Sequence, residues 1–256
     1  MDRTSFDRLF DMTDRTVIVT GGTRGIGLAL AEGFALAGAR VVVASRKPDA
    51  CERAASHLRD LGGPAIGVPT HLGEVEALGT LVQRTVDEYG GVDVVVNNAA
   101  NPLAQPLGAM TVDAMTKSFE VNLRGPVFLV QEALPHLEKS RHAAVLNVVS
   151  VGAFIFSPML SIYSSMKAAM MSFTRSMAAE FAPHGIRVNA VAPGPVDTYM
   201  MQQNPQEAVD AMVGGTLMKR LATPDEMVGP ALLLCSDAGS YMTGSVIIAD
   251  GGGTPR

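Results

Sequence analysis

The chain has no tryptophan, only two cysteines, few aromatics (5%) and only 18% charged residues among its 256 positions. Each shortage excludes something. Cys51 and Cys235 lie in unrelated segments, so neither a disulfide framework nor a cysteine-based metal site is expected, and they read as buried apolar fillers in a reducing compartment. The formal net charge of −5 offers no electrostatic footprint for nucleic acid or an anionic membrane. No apolar run approaches the length that spans a bilayer. The first fifteen residues, MDRTSFDRLFDMTDR, alternate charges with single apolar side chains and contain no signal-peptide core, so a cytoplasmic location is expected. Repeats, low-complexity tracts and linker-like stretches are also missing. What is abundant is apolar residue content, 47%, enough for one large α/β domain over 1–256, with residues 1–14 as a surface extension.

Short β-branched runs alternate with helical patterns. Thr16–Thr20 (TVIVT) is a strand of the kind buried on both faces. It runs into Gly21-Gly22-Thr23-Arg24-Gly25-Ile26-Gly27 and then a helix through Gly38. Strand, glycine turn and helix together present backbone amides to a phosphate. A second strand, Val41–Ala44, ends in Ser45-Arg46-Lys47, where a dinucleotide fold places the adenosine ribose. An acidic side chain there would hold the free 2′-hydroxyl of NAD. Here Arg46, Lys47 and, from the glycine turn, Arg24 favour a 2′-phosphate, hence NADP(H) over NAD(H). Asp49 is the expected cap of a helix reaching Leu61.

Further strands are expected at Ala65–Pro69, Val92–Val96, Ala143–Val149, Ile186–Val191 and Ser245–Ala249. His71 follows the third strand, at the adenine end. Asn97-Asn98-Ala99-Ala100 follows the fourth, where open parallel sheets bind ligands. A long helical pattern, Asp113–Lys139, is interrupted by Gly125-Pro126. Proline has no amide hydrogen for the carbonyl four residues before it, so a kink is expected that leaves the Asn122 carbonyl free for a water. Residues 199–222 are methionine-rich with Gly214-Gly215, a candidate lid over an apolar pocket lined by 153–159 and 199–218. Thr223-Pro224-Asp225-Glu226 carries the pattern of a capping box.

Tyr163-Ser164-Ser165-Met166-Lys167 organises the reading. Four residues apart on a helix, Tyr163 and Lys167 share a face. A nearby ammonium favours the phenolate, although bringing a phenol from about 10 to about 7 needs roughly 4 kcal/mol of differential interaction. The pair alone is a weak signal. The helix around it carries Ile162, Met166, Met170, Phe173 and Met177 at helical spacing, read as a dimer face.

TGGTRGIG (20–27), NNAA (97–100), Asn122, Ser150, YSSMK (163–167), PGPVDT (193–198) and the terminal DGG, in that order, resemble the short-chain dehydrogenase/reductases of single-domain type. The resemblance covers the chain from about residue 14. It implies an α/β, doubly wound, seven-stranded parallel sheet with helices on both faces in three layers. It also implies a tetrad, with Tyr163 as acid/base, Lys167 lowering its pKa and binding the nicotinamide ribose, Ser150 bonding the substrate oxygen, and Asn122 anchoring a water relay. The cofactor set implied is Gly21, Thr23, Arg24, Ile26, Ser45, Arg46, Asn98, Val196 and Thr198, joined by Gly27, Lys47, His71, Leu72, Ala99, Tyr163, Lys167 and Pro193. Two positions depart from the family pattern: His71 replaces an aspartate beside the adenine, and Ala100 replaces a glycine.

The expected activity is NADP(H)-dependent interconversion of a carbonyl and a secondary alcohol on a small apolar substrate, by a homotetramer with no metal, nucleic-acid or membrane partner. The alternatives are reduction of a 3-oxoacyl group on acyl carrier protein, for which Arg141 matches one docking position while Ala179 occupies the other, and a non-catalytic NADPH sensor.

Overall fold

Val, Ile and Ala dominate the central segments because those segments are covered on both sides. In the computed structural model, which describes residues 2–155 and 158–254, every residue of strand β1 (Thr16–Thr20) is buried. The other strands are β2 (Arg40–Ser45), β3 (Ala65–Pro69), β4 (Val94–Asn97), β5 (Ala144–Val148), β6 (Arg187–Pro193) and β7 (Val246–Ala249). All pair in parallel, in the order β3-β2-β1-β4-β5-β6-β7. This is the doubly wound sheet.

The helices are α1 (Arg3–Asp7), α2 (Gly25–Leu36), α3 (Pro48–Asp60), α4 (Val75–Tyr89), α5 (Val112–Phe119), α6 (Gly125–Leu137), α7 (Ser161–Phe181), α8 (Tyr199–Gln202), α9 (Gln206–Gly215) and α10 (Val228–Cys235). Side chains alternate across each strand, so one strand feeds two cores. Val17, Val41, Val43 and Val96 pack with Leu30 and Phe34 of α2, Leu58 of α3 and Leu234 of α10. Ile18, Val42 and Val95 pack on the other face with Leu81 of α4, Leu129 and Ala133 of α6, and Met170 and Met177 of α7. The three layers follow.

The strand order turns back at β1. Val17 pairs with Val41 on one side and Val94 on the other, so the chain leaves β1 and β4 in opposite directions. A crevice opens there at the carboxyl ends, the place where open α/β sheets hold ligands.

Several local expectations are corrected. Residues 3–7 of the supposed extension form α1, with Asp2 accepting from the Ser5 amide, and Met12 is fully buried in the core. Helix α3 starts at Pro48 with Lys47 as its cap residue, and Asp49 lies inside its first turn, because proline's fixed φ suits the first helical position. The methionine stripe is not a continuous dimer face: Met170 and Met177 are core, Ile162 and Met166 half-buried, and only Phe173 is exposed. The Thr223–Glu226 capping box is present.

The interruption in the long helix takes a specific form. Residues Glu120–Arg124 make a widened π turn between α5 and α6, with the Gly125 amide donating to the Glu120 carbonyl. Pro126 cannot donate, and the extra residue per turn accommodates it. Gly125 is required: a β-carbon there would overlap the Leu72 carbonyl oxygen.

Candidate active site

Three carboxyl-end loops build the site. The first is the glycine turn. Gly21 and Gly25 have φ of +65° and +55°, which side chains resist, and the Gly21 amide donates to the Ala44 carbonyl at 2.7 Å. Arg24 is the cap residue of α2 and provides no side-chain capping bond, so its side chain leaves the first amides of this twelve-residue helix uncovered. A β-carbon at Gly27 would overlap both Asn98 Nδ2 and the Gly21 carbonyl oxygen. The turn is thus pressed against the β4 loop, with its helix amides left to an anion. This donor set fits a dinucleotide pyrophosphate.

The second loop follows β4. Thr20 Oγ1 accepts from the Asn98 and Ala99 amides at 3.0 and 3.1 Å, and donates to the Val96 carbonyl at 3.1 Å. Asn98 Nδ2 donates to the Thr20 carbonyl at 2.9 Å. Asn98, expected to touch cofactor, therefore spends its side-chain amide holding the glycine turn in place. Thr20, not among the expected site residues, is the hub of this joint. Its position as the last residue before the turn was the available signal.

The third loop follows β5. Ser150 Oγ accepts from the Gly152 amide at 3.1 Å and bonds the Tyr163 hydroxyl. Tyr163 and Lys167 stand on the first two turns of α7. Lys167 is 3% exposed; its Nζ lies 5.6 Å from the Tyr163 ring centroid and donates to the Val148 carbonyl at 2.8 Å. Tyr163, Lys167 and Ser150 are brought together as expected.

Their protonation differs from the expectation. Burial pushes the Tyr163 phenol up to about 12, opposed by the Ser150 hydrogen bond. Burial also pushes Lys167 down to about 8. In the protein alone the phenol is therefore protonated, because taking a phenolate out of water costs more than the Ser150 hydrogen bond returns.

Asn122 is 1% exposed and its side chain is fully engaged. Nδ2 donates to the Asn101 carbonyl at 2.9 Å and to Ser118 O and Oγ at 2.9 and 3.0 Å, while Oδ1 accepts from the Asn101 amide at 3.0 Å. It clamps the loop after β4 to the π turn. Ser118 and Asn101 were not anticipated; Ser118 lies one helical turn before Asn122. Beneath them runs a buried chain in which Asn97 Nδ2 donates to Asn147 Oδ1, and Asn147 Nδ2 to Thr174 Oγ1, each at 2.9 Å.

At the carboxyl end of β2, where a ribose is expected, Thr23 Oγ1 lies 3.4 Å from Ser45 Oγ, and Arg46 and Lys47 are exposed. A cavity of about 180 Å³ there is lined by Thr23, Leu28, Ala50, Arg53, Ala54 and His57. Arg53 adds a cation that sequence reasoning missed, one helix face being needed to bring it beside Thr23. His71 is turned into its own loop, its Nδ1 accepting from the Gly73 amide at 3.1 Å. Leu72 points its side chain into the core, leaving only main chain for a ligand. Ile26 packs partly against the other core; Val196 is buried there and bridges to Ala222. Pro193 ends β6, and Thr198 caps α8.

The larger cavity, about 470 Å³, lies between the ends of β6 and β7 and residues 217–227, and Tyr163 does not line it. Leu217 and Met218 of the expected pocket line this cavity instead. Phe156 and Ser157, also expected as lining, lie outside the described residues. Among the described residues no His, Cys, Asp or Glu group is arranged to hold a metal, and no helix is long and apolar enough to cross a membrane.

Residues 21–254 match the family model described as enoyl-(acyl carrier protein) reductase. The short-chain dehydrogenase/reductase SDRA of Arabidopsis thaliana is 36% identical over 241 residues, 93% of this chain and 94% of that protein. This chain belongs to the short-chain dehydrogenase/reductase family. The similarity extends to a probable galactose dehydrogenase, GalD, of Rhizobium meliloti, 36% identical over 94% of this chain and 96% of that one. Among solved structures, a 3-oxoacyl (acyl-carrier-protein) reductase of Agrobacterium tumefaciens C58 with NADP bound superposes with a TM-score of 0.90 at 33% identity, covering 98% of both chains. The short-chain dehydrogenase/reductase fold and an oxidoreductase activity on alcohol or carbonyl groups therefore apply to this chain.

Proposed function

We propose that the protein interconverts a small, apolar ketone and its secondary alcohol with NADP(H), Tyr163 acting as the general acid in the reduction. The observation that carries this is the convergence of the Ser150 hydroxyl, the Tyr163 phenol and the buried Lys167 ammonium on one spot at the carboxyl end of β5. A nicotinamide dinucleotide, when bound, supplies the hydride. Tyr163 gives its proton to the carbonyl oxygen as charge develops there, and Ser150 donates a hydrogen bond to the same oxygen. Lys167, held by the Val148 carbonyl, stabilises the phenolate left behind. With its phenol pushed up to about 12 by burial, Tyr163 carries the proton to be donated at neutral pH.

The uncapped amides of α2 would hold the pyrophosphate. Ser45 in place of an acid, with Arg46, Lys47 and Arg53 around it, supports NADP over NAD. Exposed Val112, Met115 and Phe119 on α5, with Phe173 on α7, support association of subunits through these helices, with a homotetramer as the expected state. Asn122, by clamping Asn101, would keep the mouth of the site in shape while its carbonyl, denied a partner at Pro126, takes a water.

The test is turnover of a panel of carbonyl compounds followed by NADPH absorbance, repeated with Tyr163→Phe. That variant should lose at least a hundredfold in kcat while binding NADPH normally; near-normal turnover would refute the assignment. The similarity to a 3-oxoacyl carrier-protein reductase, with Arg141 exposed, keeps a carrier-bound substrate as the second reading. Ala179, also exposed, offers no second cation, and a preference for free over carrier-bound ketoesters decides between them.

A further inference from the structure

We propose that Tyr199 fastens the segment 199–215 to Arg24, so that occupancy of the glycine turn and ordering of that segment are coupled. The inference rests on the dinucleotide-binding reading and extends it to a residue outside the tetrad and the phosphate turn.

The Arg24 guanidinium carbon lies 4.6 Å from the centroid of the Tyr199 ring. The contact is reinforced one residue along on each side, since Thr198 Cγ2 would lie 3.2 Å from a β-carbon built at Gly25. Among the described residues Arg24 makes no ion pair, although it projects from the turn whose amides would receive an anion. A guanidinium stacks through its flat face and donates through its edge. With one face on Tyr199, the in-plane N–H groups of Arg24 remain available to the phosphate oxygens of a dinucleotide. A phosphate that fixes the edge also fixes the plane against which the ring rests.

The segment needs such a fastening. Helix α8 has four residues, capped by Thr198 Oγ1 accepting from the Met201 amide at 3.3 Å, and a single turn of that length does not persist unaided. Tyr199 is 54% exposed, so its ring is not held by core packing. The chain then continues through α9 to Gly214 and Gly215, where β-carbons would meet nothing within 4 Å. The stack on Arg24, beside the Thr198–Gly25 approach, thus ties the start of the segment to the glycine turn, while Val209 of α9 is buried further along. Coupling of this kind is reciprocal: what the dinucleotide does for the segment, the segment does for the dinucleotide. A cation–ring contact at an exposed site corresponds to roughly a two- to fivefold change in affinity.

The experiment uses the full chain as wild type, Tyr199→Ala and Tyr199→Phe. NADPH affinity is measured by fluorescence titration, and hydrogen exchange of residues 199–215 is followed with and without saturating NADPH. In the wild type NADPH should slow exchange in this segment. Tyr199→Phe, which keeps the ring, should retain both the affinity and the slowing. Tyr199→Ala should weaken NADPH about two- to fivefold and lose the slowing in 199–215, while protection of the glycine-turn amides persists. Wild-type affinity in Tyr199→Ala, or undiminished protection of its segment at saturation, overturns the fastening alone. Failure of the wild type to take up NADPH or NADH overturns the fastening together with the dinucleotide-binding reading.

Discussion

Replacing Lys167 with methionine should make the protein more stable and inactive. The side chain is 3% exposed and its amine is held down at about 8, against 10.5 in an unstructured chain. Keeping it charged in the folded state at pH 7 therefore costs about 3 kcal/mol. Methionine is close in length, carries no charge, and forfeits the hydrogen bond to the Val148 carbonyl, a loss of about 1 kcal/mol. The variant should gain about 2 kcal/mol at pH 7. The gain must depend on pH in a defined sense. Between about 8 and 10.5 the unfolded chain binds the lysine proton and the folded chain does not, so wild-type stability rises through that window relative to the variant. By pH 10 the lysine penalty has fallen below about 1 kcal/mol, and the two proteins should be nearly equal. Urea unfolding at pH 7 and pH 10, with turnover measured on the same samples, reads both effects. A variant less stable than wild type at pH 7, or a stability difference unchanged at pH 10, would refute the reasoning that the amine is retained for chemistry against the preference of the fold.

Gly27→Ala forces a methyl group onto Asn98 Nδ2 and the Gly21 carbonyl, and should cost about 1–3 kcal/mol of stability together with a clear loss of NADPH affinity; a thermal melt and a titration check both. Asn122→Ala removes the bonds to Asn101 and Ser118 and should destabilise by about 2 kcal/mol or more, with faster hydrogen exchange in residues 98–106 than elsewhere. Arg46→Asp places a carboxylate at the ribose end and should lower the ratio of kcat/KM for NADP over NAD by about tenfold or more, as measured with both coenzymes. Above pH 10 the raised Tyr163 phenol stays protonated in the folded chain while its unfolded counterpart ionises, so wild type should lose stability with rising pH relative to Tyr163→Phe, seen as a falling difference in urea midpoint between pH 10 and 12.

The strands were legible because a parallel sheet covered on both sides demands continuous β-branched runs, and Thr16–Thr20 and Ala65–Pro69 were placed to the residue. The other strands shifted at their ends by one to two residues, where hydrogen-bond partners on neighbouring strands, and not propensity, set the limit. The long helix was legible, and so was its fault at Gly125-Pro126. That the fault is a π turn pressed against the Leu72 carbonyl was not, since the partner lies on a distant segment. The methionine stripe misled for the same reason. A helical apolar face states that something covers it, and only packing showed that for Met170 and Met177 the cover is the protein's own sheet.

By itself the sequence determined which chemical groups are present and at what local spacing: an acid phenol one helical turn from an amine, glycines where a backbone must bend, cations where a carboxylate would select NAD. Local rules suffice for these because dihedral freedom and helical pitch act within a few residues. Tertiary structure alone decided their states and partners. Burial, a property of every neighbouring element at once, raises the Tyr163 phenol and lowers Lys167. Folding also commits Asn98 to the glycine turn, Asn122 to Asn101, and Arg24 to Tyr199. Each of the last three contacts joins residues on separate segments, and no periodicity in a single segment encodes a distance between two others.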